Sequence, residues 1–84
     1  PEGPAMTDTP ALAAGQIWKE VDPRFTRFIR IENVGAGRRS ISIRTVENVD
    51  GRWVDAERSR CSYADPQRFN GKRGNYAFYE APQP

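Results

Sequence analysis

Two neighbouring segments of the chain alternate apolar and polar residues with a period of two, and this pattern restricts the fold more than any other feature. In both segments, Arg27 to Val34 and Ser40 to Asn48, isoleucines recur at every second position and so share one face of an extended strand. The glycine-containing stretch Gly35 to Gly37 separates them. The pattern predicts a β-hairpin with one apolar and one more polar face.

Three further short segments are predicted to be strands, at residues 15–21, 52–55 and 76–79. Asp50-Gly51 is a signal for a type I′ turn between the third and fourth strands. Asp65 and Pro66 indicate one helical turn before the last strand, with Asp65 as its N-cap. We therefore expect a mainly β fold, a small five-stranded SH3-like barrel whose partial closure hides strand edges. An OB-like barrel is disfavoured, because it needs a helix where Asp50-Gly51 leaves no room.

The chain has 84 residues, enough for a single domain with one modest core. We expect that domain to span residues 15–80. The proline-containing stretch 1–14 is predicted to be a flexible leader, with Met6 as the natural start and Pro1 to Ala5 added ahead of it. Residues 81–84 are predicted to form a short tail.

The residue content argues against an enzyme. There is no histidine, and Cys61 is the only cysteine, so the usual zinc ligand sets, an internal disulfide and a histidine-activated nucleophile are all excluded. We expect no catalytic residues, no metal and no cofactor. No apolar run is long enough for a membrane helix, and no secretory signal is present, so a cytoplasmic protein without membrane contact is expected.

The predicted hairpin brings two arginines together. If Val34 lies opposite Ser40, then Arg30 lies opposite Arg44, and Phe28 lies opposite Val46. Like charges across a ladder are destabilising, so the pair calls for a neutralising partner. Two kinds of partner remain open, a neighbouring carboxylate (Glu32 or Glu47) or an external anion such as phosphate.

Carrying the register through the Asp50-Gly51 turn places Trp53 opposite Asn48, on the face of the two arginines. Cations flanked by aromatic rings are typical of single-stranded nucleic-acid binders and of protein interfaces. The alternative is that a β-bulge turns Trp53 into the core, where Trp18 is also expected.

A second basic cluster, Arg68, Lys72 and Arg73, lies in a turn whose glycines could bring backbone N–H groups to a phosphate. The alternative is an ordinary solvated turn. The residues predicted to bind nucleic acid or another anion are Arg30, Arg44, Lys72, Arg73, Phe28 and Trp53.

Short strings at both ends of the predicted domain, Gly15 to Trp18 with Asp22 to Arg24, and Arg68 to Tyr76, resemble small uncharacterised proteins encoded by phages and prophages. The resemblance implies origin rather than activity. Such proteins often bind nucleic acid, or bind a host defence protein as anti-CRISPR inhibitors do. Many anti-CRISPR inhibitors imitate DNA with dense acidic surfaces. This chain has a net charge of +2, so imitation of DNA is not expected. The predicted partner is therefore nucleic acid or a host protein, and the oligomeric state is open.

Overall fold

The protein folds as an antiparallel sheet with almost no helix, and the hairpin predicted from the sequence lies at its centre. A computed structural model describes residues 11–24 and 27–82. The strands are β1 (Ile17–Glu20), β2 (Phe28–Val34), β3 (Ile41–Val49), β4 (Arg52–Asp55), β5 (Ser62–Ala64) and β6 (Tyr76–Glu80). Their order is β4-β3-β2-β1-β6, and β5 pairs with the first half of β3.

The hairpin has the predicted register in its middle and a different one near its turn. Arg30 pairs with Arg44, and Phe28 with Val46, as expected. Beyond Ile31 the register shifts by one residue, so Val34 lies opposite Ile41. The prediction that Val34 lies opposite Ser40 is therefore wrong, because an irregularity at the strand end inserts an extra residue on β2.

The two predicted local turns are confirmed. Asp50 and Gly51 both have positive φ, 53° and 84°, as a type I′ turn requires. Pro66–Arg68 forms a single 3₁₀ turn, and the Asp65 side chain caps it by accepting a hydrogen bond from the Gln67 backbone N–H at 2.9 Å.

The main core lies on the isoleucine face of the hairpin. Trp18 is fully buried there, with its ring edge-on to Phe69 and Phe78 at centroid distances of 5.0 and 5.5 Å. Its neighbours in the buried cluster are Ile29, Ile31, Ile41, Ile43, Ala64, Phe69 and Tyr76. The prediction that Trp18 fills the core is confirmed.

The sheet is strongly curled towards its other face. Trp53 on β4 donates its Nε1–H to Glu80 on β6 at 3.1 Å, although three strands separate the two. In a flat sheet the distance between β4 and β6 would be about 19 Å. In the described residues no backbone ladder joins β4 to β6, so the sheet is curled but not closed.

Two features differ from the sequence-based expectation. A sixth strand, β5, lies in the polar stretch where none was predicted. In addition, packing extends back to Ala11: Leu12 contacts the core, and the buried Gln16 side chain bonds the Ala11 carbonyl, the Ala13 N–H and Trp18 Nε1. Residues 1–10 of the predicted leader and 83–84 of the tail lie outside the described residues.

Candidate functional site

The two paired arginines are neutralised from within the protein. Arg30 donates from Nε to Glu32 Oε2 and from Nη2 to Asp55 Oδ1, both at 2.6 Å. Arg44 Nε lies 3.6 Å from Glu32 and 3.8 Å from Asp55, and its Nη1 reaches the Ser59 carbonyl at 3.3 Å. These four side chains, here called the ion quartet, carry no net charge.

Of the two kinds of partner left open by the sequence, the structure places neighbouring carboxylates beside the arginines. Glu32 is one of the two partners considered, whereas Glu47 pairs with Val54 and alternates to the opposite face from Arg44. Asp55 was missed. The same register that locates Trp53 puts Asp55 opposite Val46, diagonal to Arg44, and this would have identified it. The hydrogen bonds with Glu32 and Asp55 raise the pKa of Arg30.

The aromatic rings on this face pack against one another. Phe28 lies 5.0 Å from Trp53 and 4.7 Å from Tyr79 between ring centroids, and Trp53 lies 5.9 Å from Tyr79. Trp53 lies opposite Asn48 as predicted and is half-buried. No bulge turns it into the main core. Phe28, Trp53 and Tyr79 thus contact one another on this face of the sheet.

The turn before β6 carries Lys72 and Arg73, and its backbone donors are largely occupied. Gly71 N–H bonds the Tyr76 carbonyl, Lys72 N–H bonds the Asn70 side chain, and Gly74 N–H bonds the Val21 carbonyl. These three N–H groups are therefore not free to cradle a phosphate, because the turn uses them to hold its own shape.

The cationic side chains of this turn are less engaged than its backbone N–H groups. Lys72 and Arg73 are exposed, and neither makes an ion pair in the described part of the chain. Asp22, whose charge interacts with that of Arg73, is already engaged by Arg24. Hydrogen bonds from Arg24 hold the pKa of the Asp22 carboxyl below its ordinary value, and the charge of Arg73 adds to this effect.

A third group of cations, which the sequence patterns did not single out, lies at the tip of the β2–β3 hairpin. The tip of the β2–β3 hairpin places Arg38 and Arg39 against the 3₁₀ turn, and together with Tyr63 and Arg68 they line one cleft. Arg39 has a φ of 51°, so its backbone adopts the left-handed conformation in this turn. The sequence feature that could have identified this group is the adjacent pair Arg38-Arg39, directly after Gly37 at the predicted hairpin tip.

Arg68 connects the cleft to the turn before β6. Its guanidinium lies 4.6 Å from the centre of the Tyr76 ring and donates to the Gly74 carbonyl at 3.1 Å. The cations of the cleft and of the turn that Arg68 contacts are here called the basic tract: Arg38, Arg39, Arg68, Lys72 and Arg73. No ion pair neutralises any of them within residues 11–24 and 27–82.

The described residues contain no cluster of three or more histidine, cysteine or acidic side chains arranged to hold a metal ion. They also contain no helix that is both long and apolar enough to cross a membrane. No protein-family model matches the chain, and neither the curated proteins nor the solved structures include a significant match.

Proposed function

We propose that the protein is a small, non-catalytic module that binds an anionic partner, foremost nucleic acid, through the basic tract. The observation that carries the proposal is the uneven distribution of counter-ions. On the sheet face, acids pair with Arg30 and Arg44, whereas the cations of the basic tract have no ion-pair partner in the described part of the chain. Unpaired, adjacent cations are what a phosphate backbone requires.

The proposal keeps half of the basic residues predicted from the sequence. Lys72 and Arg73 stay in the interface, joined by Arg38, Arg39 and Arg68. Since Arg30 and Arg44 are held by carboxylates at 2.6–3.8 Å, we assign them a structural role. Phe28 and Trp53 then support the sheet face rather than a bound ligand.

Binding of a fluorescently labelled oligothymidylate of about 15 nucleotides, followed by anisotropy across a salt series, tests this function. If the five cations of the tract meet phosphates, the logarithm of the association constant should fall linearly with the logarithm of salt concentration, with a slope of about −2 to −3.5. Absence of binding to single strands and to duplexes at low salt would refute the proposal.

A specific observation favours a second candidate, binding to another protein. β6 is an edge strand with a ladder on one side only, and it carries two exposed rings, Phe78 and Tyr79, with 39% and 52% of their surface accessible. An open edge flanked by aromatic side chains can add a strand from a partner. A partner strand at this edge would protect the backbone amides of β6 from hydrogen exchange, and nucleic acid at the basic tract would not.

We further propose that the curled sheet is a variant of the SH3-like barrel, supported by the Trp53–Glu80 contact that bridges its outer strands. A phage or prophage origin and a cytoplasmic location remain proposals that rest on the sequence patterns alone.

A further inference from the structure

Tyr63 differs from the other aromatic residues in the described part of the chain. It is the most exposed large apolar residue there, with 65% of its surface accessible. The ring contacts found among the described residues join Trp18, Phe28, Trp53, Phe69, Tyr76, Phe78 and Tyr79, and none includes Tyr63. Its ring therefore lies open in a cleft that three arginines, Arg38, Arg39 and Arg68, also line.

The backbone around Tyr63 is held in place. β5 pairs with β3, where Tyr63 lies opposite Ser42, and the next residue, Ala64, is buried in the main core. A ring on an anchored strand presents its face at little entropic cost when a ligand stacks on it.

We propose that Tyr63 is a stacking platform for one base of a single-stranded nucleic acid, whose flanking phosphates are bound by Arg38, Arg39 and Arg68. This inference rests on the proposed function and assigns the ligand class to it. An aromatic face beside unpaired cations is the combination that binds single strands without sequence readout. A base in a duplex is stacked on its neighbours and cannot cover the ring unless it leaves the helix.

One acid also lines the cleft, and its role can be separated from its charge. Asp65 caps the 3₁₀ turn through its side-chain oxygen. Asparagine caps equally well but carries no charge. Asp65→Asn should therefore retain the turn and bind the single strand several-fold more tightly, because the repulsion between carboxylate and phosphate is removed.

The main test compares Tyr63→Thr and Tyr63→Phe with the unchanged protein, using the labelled oligothymidylate and a hairpin duplex of similar length. Threonine retains the strand propensity of β5 but removes the ring. Tyr63→Thr should weaken single-strand binding by roughly 5- to 100-fold and leave duplex binding within about twofold, whereas Tyr63→Phe should bind normally. Circular dichroism and a thermal melt confirm that each variant folds.

The arginines are tested with a charge-matched control. Arg38→Ala/Arg39→Ala should lower the magnitude of the salt slope by about 1.4 on the single strand. The control is Arg52→Ala/Arg58→Ala, which removes two exposed cations elsewhere; Arg58 has a positive φ of 64°, comparable with that of Arg39. The control should change the slope by less than half as much.

The outcomes separate the two proposals. If the unchanged protein binds no nucleic acid, the proposed function fails. If it binds with the expected salt slope but Tyr63→Thr binds equally well, the function stands and the stacking site is overturned. Equally tight, Tyr63-independent binding of polyglutamate would also overturn it, since that result would indicate a site for an acidic protein surface.

Discussion

At the scale of single residues, the structure changes how the two paired arginines of the central hairpin are interpreted. Arg30 and Arg44 lie side by side as the strand register predicts, and Glu32 and Asp55 lie close enough to serve as their counter-ions. Alternation along strands could place the arginines on one face. Alternation also places Glu32 on that face, whereas Asp55 is found only when the register is carried across the Asp50-Gly51 turn to β4.

Arg30 and Asp55 should therefore contribute to folding. Arg30 is three-quarters buried, so Arg30→Ala should lower the free energy of unfolding by about 1–2 kcal/mol, because Glu32 and Asp55 lose their shared donor. In a double-mutant cycle with Asp55→Ala, urea denaturation should give a coupling energy of about 0.5–1.5 kcal/mol. Single-strand binding should stay within about twofold.

The opposite result would restore the interpretation drawn from the sequence. If Arg30→Ala/Arg44→Ala melts at the same temperature as the unchanged protein and loses nucleic-acid binding, then these arginines contact the ligand and the ion quartet is not structural. Lys72→Ala/Arg73→Ala provides the comparison, since it should weaken binding and leave the melting temperature unchanged.

At the scale of elements, the features encoded by two to four adjacent residues were predictable. The Asp50-Gly51 turn and the Asp65-Pro66 cap form as expected, since each follows from local conformational preferences. β5 was not predictable in the same way. Its three residues become a strand only because the curled path of the chain brings them alongside Ile41–Ile43, and no local pattern carries that information.

The Asp50-Gly51 turn offers a test of local encoding. An added Cβ at Gly51 would meet no atom within 4 Å, so Gly51→Ala probes backbone strain alone. With a φ of 84° at this position, alanine should cost about 1–2 kcal/mol of stability in chemical denaturation. Asp50→Asn is the control and should be nearly neutral, because asparagine tolerates positive φ. Equal stability of Gly51→Ala would show that the turn is not of this type.

At the scale of the whole molecule, the two faces of the curled sheet pack different kinds of side chain. One face buries Trp18 and the isoleucines, and the other packs three aromatic rings beside the ion quartet. The basic tract lies instead on the hairpin tip, the 3₁₀ turn and the turn before β6. These segments are far apart in sequence, so only the cluster of Arg68, Lys72 and Arg73 could be foreseen, and not the addition of Arg38 and Arg39.

If the proposed function is right, the basic tract, and not the sheet face, contacts the partner. Amide chemical shifts measured by NMR during titration with the oligothymidylate test it most directly. We predict shifts concentrated at residues 37–39, 62–68 and 71–74, with little change at Phe28, Arg30, Arg44 and Trp53. Shifts concentrated on those four residues, with the hairpin tip unaffected, would contradict the account.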